Sequence, residues 1–128
     1  MPIQRIARID NSKDNNLMTL KDLIAQAHSI VPKISCESFS DNSEQYFVID
    51  VREGTEIEET GSIVNAVNIP RGLIEMKLTP SNDDKDLNAN TPIIVYCGGG
   101  SRASLAGKTL IELGFKNVQN LEGGFRGW

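Results

Sequence analysis

The chain predicts an α/β fold, a mainly parallel sheet flanked by helices on both faces. Two observations carry this. Compact β-branched and aromatic runs alternate with segments of helical apolar spacing, and parallel neighbours need such crossovers. The 128 residues suffice for one core and not comfortably for two, so a single domain is expected.

Each element follows from its residues. Positions 1 to 17 are polar and rich in Asn, Asp and Lys, and are expected to form a leader outside the domain, which spans 18 to 128. "TLKDLIAQAHSIV" sets Leu20, Leu23, Ile24, Ala27 and Ile30/Val31 near helical spacing, with Thr19 as N-cap and Pro32 as the stop. "KISC" (33–36) is expected as a short strand and "SDNSEQ" (40–45) as a loop. "YFVIDV" (46–51) is a strong strand with a carboxylate near its end. "EGTEIEETG" predicts a short helix closed by Gly61. "AVNIP" is a brief strand ending at Pro70, "RGLIEMKL" (71–78) a short helix, and 79–92 a polar connection. "IIVY" (93–96) is the second strong strand. From Ser101 to Leu113 the spacing of Ala103, Ala106, Leu110 and Leu113 is helical, and Gly114 suits the position after the helix. "NVQNL" is the last strand and "EGGFRGW" a terminal turn.

Composition excludes several function classes. A net charge of -4 argues against a dedicated nucleic-acid binder, since Lys and Arg make most phosphate contacts. No run is apolar enough to span a bilayer, and no basic amphipathic stretch suggests a membrane surface. The N-terminal stretch lacks the apolar core of a secretory signal, so a cytoplasmic location is expected. Cys36 and Cys97 read as two free thiols, not a disulfide framework or a zinc site.

The chemistry concentrates in "CGGGSR" (97–102). Cys97 closes a strand, and ligands of open α/β sheets bind beyond the carboxyl ends of strands. If Gly98, Gly99, Gly100, Ser101 and Arg102 form a tight arc, their amides turn inward, and glycine permits the positive φ such an arc uses. With a helix N-terminus behind it, that arc is an anion cradle. The same field stabilises a thiolate, which is the nucleophilic form of cysteine. Arg102 adds a permanent charge. A buried structural thiol beside an ordinary turn is the plainer alternative.

At these residues the chain resembles the rhodanese family, whose active loop reads Cys-x-x-Gly-x-Arg (or Thr). Cys97, Gly100 and Arg102 match it. The likeness extends to "VIDVRE" (48–53), "GSIVNAVNIP" (61–70) and "NVQNLEGGFRGW" (117–128), covering roughly 33 to 128. It implies a rhodanese-like three-layer fold and sulfur transfer through a persulfide on Cys97, with no metal or organic cofactor needed. The donor would be a small molecule such as thiosulfate, and the acceptor cyanide or a thiol, including a protein thiol. Ser62 and Asn65 stand where the family usually has His and Gly, so Asn65 is expected in the left-handed region, which Asn tolerates best after glycine. Thiosulfate users often carry Arg directly after the cysteine, where this chain has Gly98. That leaves the donor open.

The resemblance also places Asp50 and Arg52 near the loop in a supporting role, with Asp50 pairing with Arg102 or a loop backbone group. Arg71 is a candidate for the pocket mouth, attracting an anionic donor. His28, Cys36, Phe125 and Trp128 read more simply as packing or surface residues, Glu75 as a surface residue, and Gly123 and Gly124 as turn glycines. Two other functions compete. One is a partner-binding module, or a relay handing sulfur to one protein. The other is a Cys-dependent phosphatase or arsenate reductase, disfavoured by a loop one residue shorter than theirs and by the lack of an obvious acid beside it.

Overall fold

A computed structural model describes residues 17–81 and 86–128. The expected leader therefore lies outside the described residues except for Leu17. In chain order the elements are α1 (Leu20–Ile30), β1 (Lys33–Ile34), α2 (Cys36–Asp41), β2 (Phe47–Asp50), α3 (Gly54–Thr60), β3 (Val67–Asn68), α4 (Ile74–Lys77), β4 (Ile93–Tyr96), α5 (Ser101–Glu112), β5 (Val118–Leu121) and α6 (Gly124–Gly127). Short 3-10 turns stand at Ser43–Gln45 and Arg71–Leu73.

All strand pairs are parallel, in the order β1-β5-β4-β2-β3. Chain connections leave β2 toward one edge and β4 toward the other. The crevice beyond the carboxyl ends of β2 and β4 is therefore the topological switch point, where open α/β sheets bind ligands. Asp50 pairs in register with Tyr96, so Cys97, the residue after β4, opens into that crevice.

Strand alternation sorts side chains onto two faces. Ile49, Val51, Ile93, Val95 and Cys97 join Ala103, Ala106 and Leu110 of α5 and Ile74 of α4 in one core cluster. Val48, Ile94 and Tyr96 join Phe39 of α2 and Leu121 in the other, with Phe125 of α6 against it. The helices thus cover both faces, giving three layers.

Thr19 caps α1 as expected: its Oγ1 accepts from Asp22 N at 3.1 Å and Asp22 Oδ2 accepts from Thr19 N at 3.0 Å. Within α1 only Ala27 is buried, joined by Val31 just past its end, while Leu20 and Leu23 stay exposed. Gly107 explains how α1 docks on α5. A Cβ there would lie 2.9 Å from Val31 Cγ1, so this mid-helix glycine, which costs about 1 kcal/mol of helix propensity, is space for a neighbour.

Three sequence expectations need correcting. "KISC" is strand only at Lys33–Ile34, because Ser35 turns the chain into α2, its side chain accepting from Ser38 N at 3.1 Å. "SDNSEQ" is the end of α2 and a 3-10 turn instead of a loop. The terminal turn contains a short helix, α6. Asn65 adopts φ 68, as its place in the family pattern requires. Among the described residues no helix is long and apolar enough to cross a membrane, and no His/Cys/Asp/Glu group could hold a metal ion.

Candidate functional site

Cys97 is 1% exposed at the mouth of the switch-point crevice. The loop after it returns on itself, and the amide of Gly100 donates to Cys97 Sγ at 2.9 Å. Gly100 is the loop glycine that needs its freedom: its φ is +119, where an L side chain is strained. Gly98 and Gly99 do not have positive φ, so the expectation that the glycines serve backbone conformation holds for one of the three. The amides of Gly98, Gly99, Ser101 and Arg102 have no acceptor among the described residues and stand at the start of α5.

Gly100 is held from behind. Its carbonyl accepts from Ser104 N at 3.0 Å, Ser104 Oγ at 2.9 Å and Asn120 Nδ2 at 3.1 Å. Asn120 Nδ2 also donates to Ser104 Oγ at 2.9 Å. Its Oδ1 is buried without a hydrogen-bond partner, which costs about 1–3 kcal/mol. The chain carries that cost at a position whose other end fixes the loop.

The C-terminal segment forms the loop's second support. Phe125 N donates to Cys97 O at 2.7 Å and Arg126 N to Gly98 O at 3.1 Å. Gly124, at φ +60, lies so close that a Cβ would sit 2.5 Å from Cys97 O and 2.7 Å from Gly98 O. Both obstacles are backbone and cannot rotate away. Gly124→Ala is therefore expected to cost about 2–4 kcal/mol of stability, from left-handed strain plus overpacking, and to slow chemistry at Cys97. Urea denaturation checks this. An unchanged midpoint with unchanged Cys97 reactivity would mean that α6 does not brace the loop.

Charged groups surround this frame. Arg102 is bound in bidentate fashion by Glu56 of α3, with Nη2–Oε2 at 3.0 Å. That hydrogen bond lowers the Glu56 pKa to about 2, so the pair stays ionised in any ordinary buffer. Arg102 is raised in turn, first by Glu56, with a smaller contribution from Cys97. The expected Asp50–Arg102 pair does not form. Asp50 instead pairs with Arg52, whose Nη2 reaches Asp50 Oδ2 at 2.8 Å, and both side chains are almost fully buried. A carboxylate does adjoin the loop after all, Glu56, but it is engaged with Arg102.

Arg52 lies behind the site, not in it. It donates to Thr60 Oγ1 and to the Gly61 carbonyl, and its guanidinium carbon stands 4.3 Å from the Phe125 ring centre and 5.7 Å from that of Tyr96. Burial pushes the Tyr96 phenol up to about 12, and its oxygen accepts from Ile63 N at 3.1 Å. Arg71 has two side-chain partners: Nη1 reaches Glu75 Oε1 and Nη2 reaches Thr109 Oγ1, both at 3.0 Å. Cys36 Sγ faces the Glu122 carbonyl at 3.6 Å.

Sequence reasoning passed over Glu56, Ser104 and Asn120, and took Gly124 only as a turn glycine. Asn120 carried a signal, since asparagine is depleted in strands and here stands buried in one. Gly124 had the Gly-Gly pair. Glu56 meets Arg102 from 46 positions away and had no local sign.

The family model for the rhodanese-like domain matches residues 35–128. The chain is 36% identical over 103 residues to the putative sulfur carrier protein YrkF of Bacillus subtilis, covering 78% of this chain but only 52% of that protein. Against a sulfurtransferase of Allochromatium vinosum the identity is 30% over 102 residues, covering 77% of this chain and 89% of that one. A Rhodopseudomonas palustris protein of unknown function, described as a possible tyrosine phosphatase, superposes with a TM-score of 0.75 at 28% identity, over 100% of this chain and 93% of that one. With nearly three quarters of its length inside the family model, this chain belongs to the rhodanese-like domain family.

Proposed function

We propose that the protein is a sulfurtransferase carrying sulfane sulfur on Cys97. The observation that carries this reading is the Gly100 amide 2.9 Å from Cys97 Sγ, inside an arc whose other amides have no acceptor among the described residues. Such preorganised donors favour a negative sulfur, whether thiolate or terminal persulfide. With thiosulfate, the Cys97 thiolate attacks the outer sulfur. A new S–S bond forms on Sγ, the old one breaks, and its electron pair leaves with sulfite. Cyanide then attacks the terminal persulfide sulfur, forming thiocyanate and returning the Cys97 thiolate. Each step is a displacement at sulfur, so one difficult transfer becomes two easier ones and no metal or redox cofactor enters.

Arg102 contributes charge and anchors the loop to α3 through Glu56. That engagement also weighs against a phosphatase, because a fork held by a carboxylate is not free to clasp phosphoryl oxygens. A relay to one dedicated protein thiol is the second reading, supported by the likeness to a putative sulfur carrier.

Intact-protein mass spectrometry after thiosulfate tests the proposal. One added sulfur atom is expected, mapping to the Cys97 peptide and lost with cyanide. Repeated turnover with cyanide supports the enzyme, while stoichiometric loading with slow discharge favours the relay. No sulfur gain, together with hydrolysis of an aryl phosphate, would replace sulfur transfer by phosphatase chemistry.

A further inference from the structure

Gly98 and Gly99 do not have positive φ, so their missing side chains need another explanation. Arg126 fills the space they leave. A Cβ on Gly98 would lie 3.5 Å from Arg102 Nη2, 3.6 Å from Arg126 Nη2 and 3.9 Å from Arg126 Nε. A Cβ on Gly99 would lie 3.3 Å from Arg126 Nη1. The Arg126 guanidinium therefore lies over the two residues that follow the nucleophile. A Cβ at Gly98 would be in ordinary contact with it, and one at Gly99 would make it give by a few tenths of an ångström.

The two arginines differ in what binds them. Arg102 is held by Glu56. Arg126 is exposed and has no ion-pair or side-chain hydrogen-bond partner among the described residues. Its main chain is nonetheless anchored at the loop, because its own amide donates to Gly98 O and its neighbour's to Cys97 O. A cation tethered by backbone hydrogen bonds to the nucleophile's loop, with its donors unspent, is suited to an anion approaching Cys97.

We propose that Arg126 forms the subsite for the anionic end of the sulfur donor, selecting oxyanionic donors of the thiosulfate class. This rests on the sulfur-transfer reading and adds to it the residue that binds the leaving group. When the donor S–S bond breaks, its electron pair moves onto the departing sulfite. A guanidinium beside that end is worth more in the transition state than in the ground state. Guanidinium also matches oxyanion geometry with paired donors, which an ammonium does not.

The test compares the wild type with Arg126→Ala, Arg126→Lys and Arg126→Glu, all at an exposed side chain that leaves the backbone hydrogen bonds in place. The thiosulfate concentration for half-maximal loading of Cys97 is expected to rise about tenfold in Arg126→Ala and further in Arg126→Glu, and to be only partly restored in Arg126→Lys, which returns the charge without the paired donors. A second readout needs no sulfur chemistry: the ratio of Cys97 alkylation by iodoacetate to that by neutral iodoacetamide, expected to fall about fivefold in Arg126→Ala. An unchanged ratio overturns the subsite even if sulfur loading works. A fallen ratio in a protein that never accepts sulfur keeps an anion subsite and overturns the sulfur-transfer reading instead.

Discussion

Cys97→Ser is expected to take up no sulfur from thiosulfate and to lose at least ~10⁴-fold in transfer rate, while remaining folded. The fold argument is local. The Ser hydroxyl is close in size to the thiol and can still accept from Gly100 N, now held at 2.9 Å from sulfur. Cys97 lies among Val95, Ala103 and Ala106, so placing a hydroxyl there costs no more than about 1–2 kcal/mol. The chemical argument is separate. A hydroxyl is not ionised near neutral pH, whereas a few per cent of an ordinary thiol is, and sulfur is the better nucleophile toward sulfur. An oxygen at this position also has no persulfide to form. Circular dichroism and intact mass on the same sample separate the two arguments. If the variant loads sulfur at the wild-type rate, Cys97 is not the carrier, and Cys36 becomes the thiol to test.

The elements that sequence could reveal were those with a strong local period. Strands β2 and β4 are short apolar runs, and α5 repeats its apolar residues at helical spacing, so the sheet's centre and the helix behind Cys97 were readable. Helix α2 was not, because "CESFSD" offers a single buried residue, Phe39, and its start depends on the Ser35 cap. The site divides in the same way. Cys97 and its loop stand together in sequence, and their order already implied the cradle. Their supports come from elsewhere: Asn120 from β5, Gly124 and Phe125 from the C-terminus, Glu56 from α3. The expected Asp50–Arg102 pair failed for a related reason. Arg52 follows Asp50 by two residues at a bend just past β2, so its amide and guanidinium both donate to Asp50 and satisfy it without the loop.

That pair carries the other large expected effect, on stability. Arg52→Ala is expected to cost about 3–5 kcal/mol, because it leaves the Asp50 carboxylate buried without its counter-charge. Asp50 is 1% exposed and Arg52 2%, so water cannot replace the lost partner. The loss extends beyond one ion pair. Arg52 ties the end of β2 to the end of α3 through Thr60 Oγ1 and the Gly61 carbonyl, and it lies over Phe125. Phe125 in turn donates its amide to Cys97 O, so loosening its ring loosens the loop. The protonation of Arg52 is secure, being raised first by its hydrogen bond to Asp50. The companion variant is Asp50→Asn combined with Arg52→Met, which removes both charges and keeps much of the volume. It should recover part of the stability lost in Arg52→Ala, since the main penalty there is the stranded carboxylate. Urea midpoints at one pH measure both. A single variant within about 1 kcal/mol of wild type would mean that the buried pair is not what holds β2, α3 and the C-terminal segment together.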